Sequence, residues 1–262
     1  MFKSKFNKIE SCLLTAIALI AAAVVVSLIT LCVNGSKPVL AKKNAQTDAE
    51  ISTVRLGKTP DYGQAYINNI VFLGDSTISG LSSTDLLTEA IGYSQIWTGE
   101  DGDLALDYNI GNTSILFPET SSPISITSAA ERKKPDYIIV TVGINNGVAY
   151  CSEEKFTEYY EKLITTLKEA SPNTRIILQS IFPISNQAEK SLSGITNEKI
   201  NKANKWIEKI AENNSLRYLD TASVLKNTSG QLSELFDSGD GIHLNTEGFA
   251  AMLDYIRTHG YK

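Results

Sequence analysis

The chain has 262 residues, a net charge of −5 and three cysteines. That length fits one domain or two, and the ordinary apolar and charged content is enough for a sizeable core. Three cysteines make no disulfide framework, and without a basic stripe there is no clustered Lys and Arg to hold a nucleic acid, so none is expected as a partner.

Residues 1–11 form a short basic segment with Lys3, Lys5 and Lys8. Residues 12–33 contain no charged side chain. A bilayer helix needs about 20 apolar residues, so 12–33 reads as a transmembrane signal anchor. The lysines before it keep the amino end cytoplasmic, and the rest of the chain is expected outside the cell membrane. A cleaved signal peptide and a secreted domain form the rival reading, with Val39-Leu40-Ala41 as a weak cleavage site. Residues 34–66 are polar, lack an apolar period and read as a linker. The folded domain is expected over 67–262.

From there strands and helices alternate. Strands are expected at Ile70–Leu73, Leu106–Ile110, Tyr137–Val142, Arg175–Ile181 and Leu216–Leu219. The third and fourth are nearly all apolar or β-branched, as in strands covered on both faces. Helices are expected over Glu153 to Ala170 after a Ser152 cap, over Asn197 to Asn213, and over Thr246 to Thr258. This alternation implies an α/β fold with a parallel sheet between helices.

Four stretches carry chemistry. The first is Gly74-Asp75-Ser76, a turn at the end of an apolar run. Open α/β sheets bind ligands at that edge, and alone the turn reads equally as a helix cap. The second is Asn109-Ile110-Gly111-Asn112, where a glycine lets a backbone N–H approach a ligand, or simply ends a strand. The third is Gly143-Ile144-Asn145-Asn146, whose Asn145 amide can donate to an oxyanion or close an Asx turn. The fourth is Asp240-Gly241-Ile242-His243. His259 lies in the tail, so His243 is the well-placed general base, and Asp240 is close enough to fold back onto its imidazole.

Taken together, the order Gly-Asp-Ser, Gly, Gly-x-Asn, Asp-x-x-His resembles the SGNH hydrolases, also called the GDSL esterase/lipase family. The resemblance spans about residues 69–258. It implies a three-layer α/β/α sandwich around a five-stranded parallel sheet of flavodoxin-like form. It implies Ser76 as nucleophile, His243 as base and Asp240 as its carboxylate partner. The oxyanion hole it implies is Ser76 N–H, Gly111 N–H and the Asn145 side chain. Two positions depart from the family: Thr77-Ile78 follows the serine where Leu is usual, and Asn146 stands where Asp is usual.

The function implied is serine esterase chemistry on acyl esters, O-acetyl groups on carbohydrate or cell-wall polymers above all, with no metal or other cofactor. Transfer of an acyl group to polysaccharide, lipid-ester hydrolysis and a non-catalytic wall-binding module are the alternatives. Residues 92–103 are placed to line the mouth of the site, with Trp97 either stacking on a sugar or packing in the core.

Overall fold

The computed structural model describes residues 54–261, apart from 89–91, 118 and 121. The segments 1–11 and 12–33, and residues 34–53 of the expected linker, lie outside the described residues. Among the described residues, no helix is long and apolar enough to cross a membrane.

The main sheet contains β1 (Ile70–Gly74), β2 (Ile96–Trp97), β3 (Tyr137–Thr141), β4 (Arg175–Gln179) and β5 (Arg217–Leu219). All pairs are parallel, in the order β2-β1-β3-β4-β5. The helices that frame it are α1 (Gly63–Ile67), α2 (Ser76–Ser79), α3 (Ile126–Lys133), α4 (Glu153–Ala170), α5 (Asn197–Asn213) and α6 (Thr246–Thr258).

The strand period of two divides the core. Val71 and Leu73 of β1 point into a cluster with buried residues of α3, α4 and α5. Ile70 and Phe72 point the other way, into a cluster with α1, Ile78 of α2 and α6. This is the expected three-layer α/β/α arrangement. The long helices keep the bounds that their apolar spacing predicts. Ser152 Oγ accepts from Lys155 N, Thr196 Oγ1 from Lys199 N and Asn245 Oδ1 from Gly248 N, so each amino end is capped.

The second strand is corrected. Leu106–Ile110 is not a strand; β2 is the two-residue Ile96–Trp97. The apolar signal there came from burial alone: Leu104, Leu106 and Ile110 all enter the core. Asp107 Oδ1 accepts from Asn109 N at 2.7 Å, and this Asx turn breaks the extended path.

The packed chain starts inside the stretch that reads as linker. Leu56 N donates to Tyr218 O at 2.8 Å, beyond the edge of β5. The Arg55 guanidinium makes a two-pronged bond to Glu208 at 2.9 and 2.8 Å and a third to Asp220 at 2.7 Å. It also lies over the Tyr218 ring, 5.3 Å from its centre. Residues 54–56 therefore belong to the fold, although their composition does not separate them from the polar residues before them. Exposed ion pairs contribute little singly, and fork geometry raises the value. Arg55→Ala is expected to lower stability by about 1 kcal/mol in urea unfolding, with no change in activity.

Candidate active site

The site grows from the carboxyl ends of β1 and β3. Gly74 closes β1 where a side chain would not fit: a Cβ would stand 2.7 Å from Thr141 O and 2.8 Å from Ile78 Cγ1. That close approach lets the chain turn directly into α2, and Ser76 becomes the first residue of the helix. Asp75 is the N-cap. Its Oδ1 accepts from Thr77 N at 3.2 Å and Thr77 Oγ1 at 2.7 Å. Its Oδ2 accepts from Gly143 N at 3.2 Å and Ile144 N at 3.3 Å. One carboxylate therefore ties the Ser76 turn to the loop that carries Asn145. Asp75 is fully buried, and burial pushes its carboxyl up to about 6, against the hydrogen bonds from Thr77 and Ile144 that favour the charged form.

The Asn145 loop is held from both sides. Leu106 N donates to Asn145 O at 3.2 Å, and Asn146 Nδ2 donates to Leu106 O at 3.1 Å. Asn146 has φ +65°, a conformation that Asn tolerates better than most side chains. Its departure from the usual Asp thus has a local reason, since an ionised Asp has no hydrogen to give that carbonyl. The Asn145 amide nitrogen donates to Asp103 Oδ1.

The histidine loop is built from nested Asx turns. Asp237 Oδ1 accepts from Gly239 N and Gly241 N, each at 2.8 Å. Asp240 Oδ1 accepts from Ile242 N at 2.8 Å and His243 N at 2.9 Å. Its second oxygen meets His243 Nδ1 at 2.6 Å. Partial burial works against ionisation of Asp240, but the bonds from the His243 backbone, the His243 ring and Ile242 N prevail and bring its carboxyl down to about 2. An ionised Asp240 makes Nδ1 the protonated nitrogen and leaves Nε2 as the base. Gly241 has φ +80°, and its carbonyl accepts from Ser185 N at 2.8 Å, docking the loop on the chain that leaves β4. Three residues after His243 the chain enters α6, whose Phe249 packs against Gly80 just past α2. The serine turn and the histidine loop are thus neighbours through α6 and α2. No hydrogen bond joins the Ser76 hydroxyl to His243 among the described residues.

Two expected site residues lie elsewhere. Gly111 sits in a short 3₁₀ turn whose carbonyl accepts from Thr127 Oγ1 at 2.9 Å. A Cβ there would meet Thr166 Oγ1 at 2.5 Å. Phe156 of α4 packs at the Asn145 loop, against Gly143 and Gly147, and Thr166 is ten residues further down the same helix. At 1.5 Å per residue that is about 15 Å below the edge that holds Ser76. The reason is the misplaced second strand: β2 ends at Trp97, so the loop leaving it is 98–103, with Gly99, Gly102 and Asp103. Gly102 N donates to Gly99 O at 2.9 Å, and a Cβ on Gly102 would stand 3.4 Å from Ser79 of α2. This loop lies beside α2, within the 92–103 stretch expected at the mouth of the site; its place as the loop leaving β2 is signalled in the sequence by Gly-x-x-Gly-Asp after a two-residue apolar pair. Trp97 is 0% exposed and packs edge-on against Phe117, so stacking on a sugar is not open to it. The exposed aromatic near Asn145 is Tyr150, at the end of the next short helical turn. Among the described residues, no group of three or more His, Cys, Asp or Glu could hold a metal ion.

A family described as GDSL-like Lipase/Acylhydrolase matches residues 72–251. No curated protein matches the chain. Among solved structures, a Streptococcus pneumonia protein described as a platelet activating factor is 20% identical, with a TM-score of 0.50, covering 74% of this chain and 87% of its own. The periplasmic domain of a Salmonella ser. Paratyphi A lipopolysaccharide acetyltransferase is 18% identical, with a TM-score of 0.49, covering 80% and 87%. A GDSL-like lipase from Bacteroides thetaiotaomicron is 15% identical, with a TM-score of 0.48, covering 81% and 94%. The first of these likenesses, at low identity, speaks to the fold alone.

The Asp75 carboxyl gives a signed test. In the unfolded chain it ionises at about 4, and in the fold at about 6. Between those values the fold holds a proton that the unfolded chain has released. Its contribution to stability therefore falls as the pH rises through that window. Asp75→Ala leaves four donors without their acceptor and is expected to cost about 3 kcal/mol or more. In denaturant unfolding across this pH range, the gap between wild type and Asp75→Ala should narrow as the pH rises.

Proposed function

The chain belongs to the GDSL-like lipase/acylhydrolase family, and from that premise we propose that it is a serine esterase that removes acyl groups, O-acetyl above all, from carbohydrate or cell-wall polymers. The observation that carries this reading is the 2.6 Å contact between Asp240 and His243 Nδ1, in a loop that leads into α6, whose Phe249 packs against Gly80 just past α2. It leaves His243 Nε2 free to take the proton of Ser76 Oγ.

In the proposed cycle Ser76 Oγ attacks the ester carbonyl as His243 accepts its proton. The Ser76 N–H and the second amide hydrogen of Asn145 hold the oxyanion. A backbone N–H of the 98–103 loop fills the place that the family resemblance gave to Gly111. His243 then protonates the leaving alcohol, the acyl group stays on Ser76, and water, deprotonated by His243, releases it as the carboxylic acid. Asp240 fixes the tautomer and stabilises the imidazolium.

The substrate class follows from position and charge. An anchor at 12–33 would hold the domain outside the cell membrane, within reach of wall polymers. Glu100, Asp101 and Asp103, in the loop whose Gly102 stands against Ser79 of α2, disfavour a strongly anionic substrate.

Hydrolysis of p-nitrophenyl esters by the full chain tests the reading. Ser76→Ala should lower the rate on the acetate by at least about a thousandfold, and it should abolish labelling by a fluorophosphonate. Asn145→Ala should cost about a hundredfold in kcat. A rate that rises with acyl chain length would replace the acetyl reading with lipid esters. Full activity in Ser76→Ala would end the serine mechanism.

A further inference from the structure

We infer that Asp103 is a positioning residue that fixes the orientation of the Asn145 amide, so that the amide presents N–H and not C=O to the oxyanion. The inference rests on the reading of Asn145 as an oxyanion donor given above.

An asparagine amide has two faces of nearly equal shape and opposite polarity. Nδ2 carries two hydrogens and Oδ1 only lone pairs. Turned one way, the side chain stabilises an oxyanion; turned the other way, it repels one. Nothing in the backbone of the 143–146 loop chooses between them, because its hydrogen bonds run through Gly143 N and Ile144 N to Asp75, through the Gly143 and Asn145 carbonyls and through the Asn146 side chain, and none of these engages the Asn145 amide. Asp103 does choose. Its Oδ1 accepts from Asn145 Nδ2, and an ionised carboxylate can only accept. The flipped amide would set Oδ1 against that oxygen. One Nδ2 hydrogen is spent on Asp103, and the other remains for the substrate.

Asp103 is itself held. Its Oδ1 also accepts from Leu104 N at 2.7 Å, at the end of the turn that Gly102 closes onto Gly99. The carboxylate therefore arrives from a fixed loop beside α2, and the loop that borders Ser76 also orders the third donor. The charge is close enough to Asp75 to add to the upward push that burial gives it, which places Asp103 within the electrostatic field of the serine turn. A negative charge at that range works against an oxyanion.

The test is a double-mutant cycle on the full chain with p-nitrophenyl acetate, with thermal melting of every variant. Asp103→Ala is expected to lower kcat by about tenfold, with KM within about twofold. Asp103→Asn, whose Oδ1 can still accept, should recover most of that loss. In an Asn145→Ala background, Asp103→Ala should change kcat by less than about twofold, because the amide it orients is gone. A purely structural aspartate would instead lower the rate equally in both backgrounds, and that additive outcome would overturn the inference. So would an Asp103→Ala enzyme as fast as wild type, or faster. If Asp103→Ala does not fold, Asp103→Ser takes its place in the cycle, keeping an oxygen near Leu104 N but falling short of the amide. Should Asn145→Ala alone keep full activity, the oxyanion reading fails and this inference with it. Loss in Asn145→Ala without loss in Asp103→Ala removes only the inference.

Discussion

The buried carboxylate of Asp75 is the joint on which the candidate site depends. It lies between two strand ends and accepts two hydrogen bonds from each side, from Thr77 on the serine turn and from Gly143 and Ile144 on the Asn145 loop. A buried charge is costly unless its lone pairs are filled, and four donors fill them here. The same bonds set the distance between Ser76 and Asn145. A neutral side chain of the same shape could not do this, since an amide offers one acceptor atom where the two loops need two.

Around that joint the site uses the same local device several times. Asp75, Asp103, Asp107, Asp237 and Asp240 each accept a backbone N–H one to three residues ahead. In three of them a second bond reaches beyond the turn: Asp75 to the third strand's loop, Asp103 to Asn145 and Asp240 to the His243 ring. A short side chain fixed by its own turn is an ordered acceptor, and ordering before the reaction is what a hydrogen-bonded transition state requires. The acidic balance of the chain thus has a local use at this edge of the sheet.

The architecture brings these turns together through topology. In a parallel sheet of order β2-β1-β3-β4-β5 every strand ends at the same edge. Ser76 leaves β1, Asp103 follows β2, Asn145 follows β3, and the His243 loop docks on the chain leaving β4. Residues far apart in sequence meet without any long excursion.

Much of this was legible in the sequence. Apolar spacing and capping residues determined the three long helices, because helix bounds depend on contacts three or four residues apart and on local caps. β1, β3 and β4 were legible because a strand covered on both faces must be apolar throughout. The serine turn and the Asp240–His243 pair were legible because their partners are a few residues away. The tertiary structure decided the rest. β2 has two residues, too few for a period, and gains its identity only by pairing with Phe72 and Leu73. From that came the misplaced glycine at 111 and the assignment of Trp97 to the mouth of the site. Burial of Leu106 and Ile110 looks the same in sequence whether it serves a strand or a turn. Residues 54–56 look like linker until Glu208, Asp220 and Tyr218 are in place to receive them. Local order is written in neighbouring residues, whereas pairing across the sheet depends on which distant surfaces the fold brings into contact.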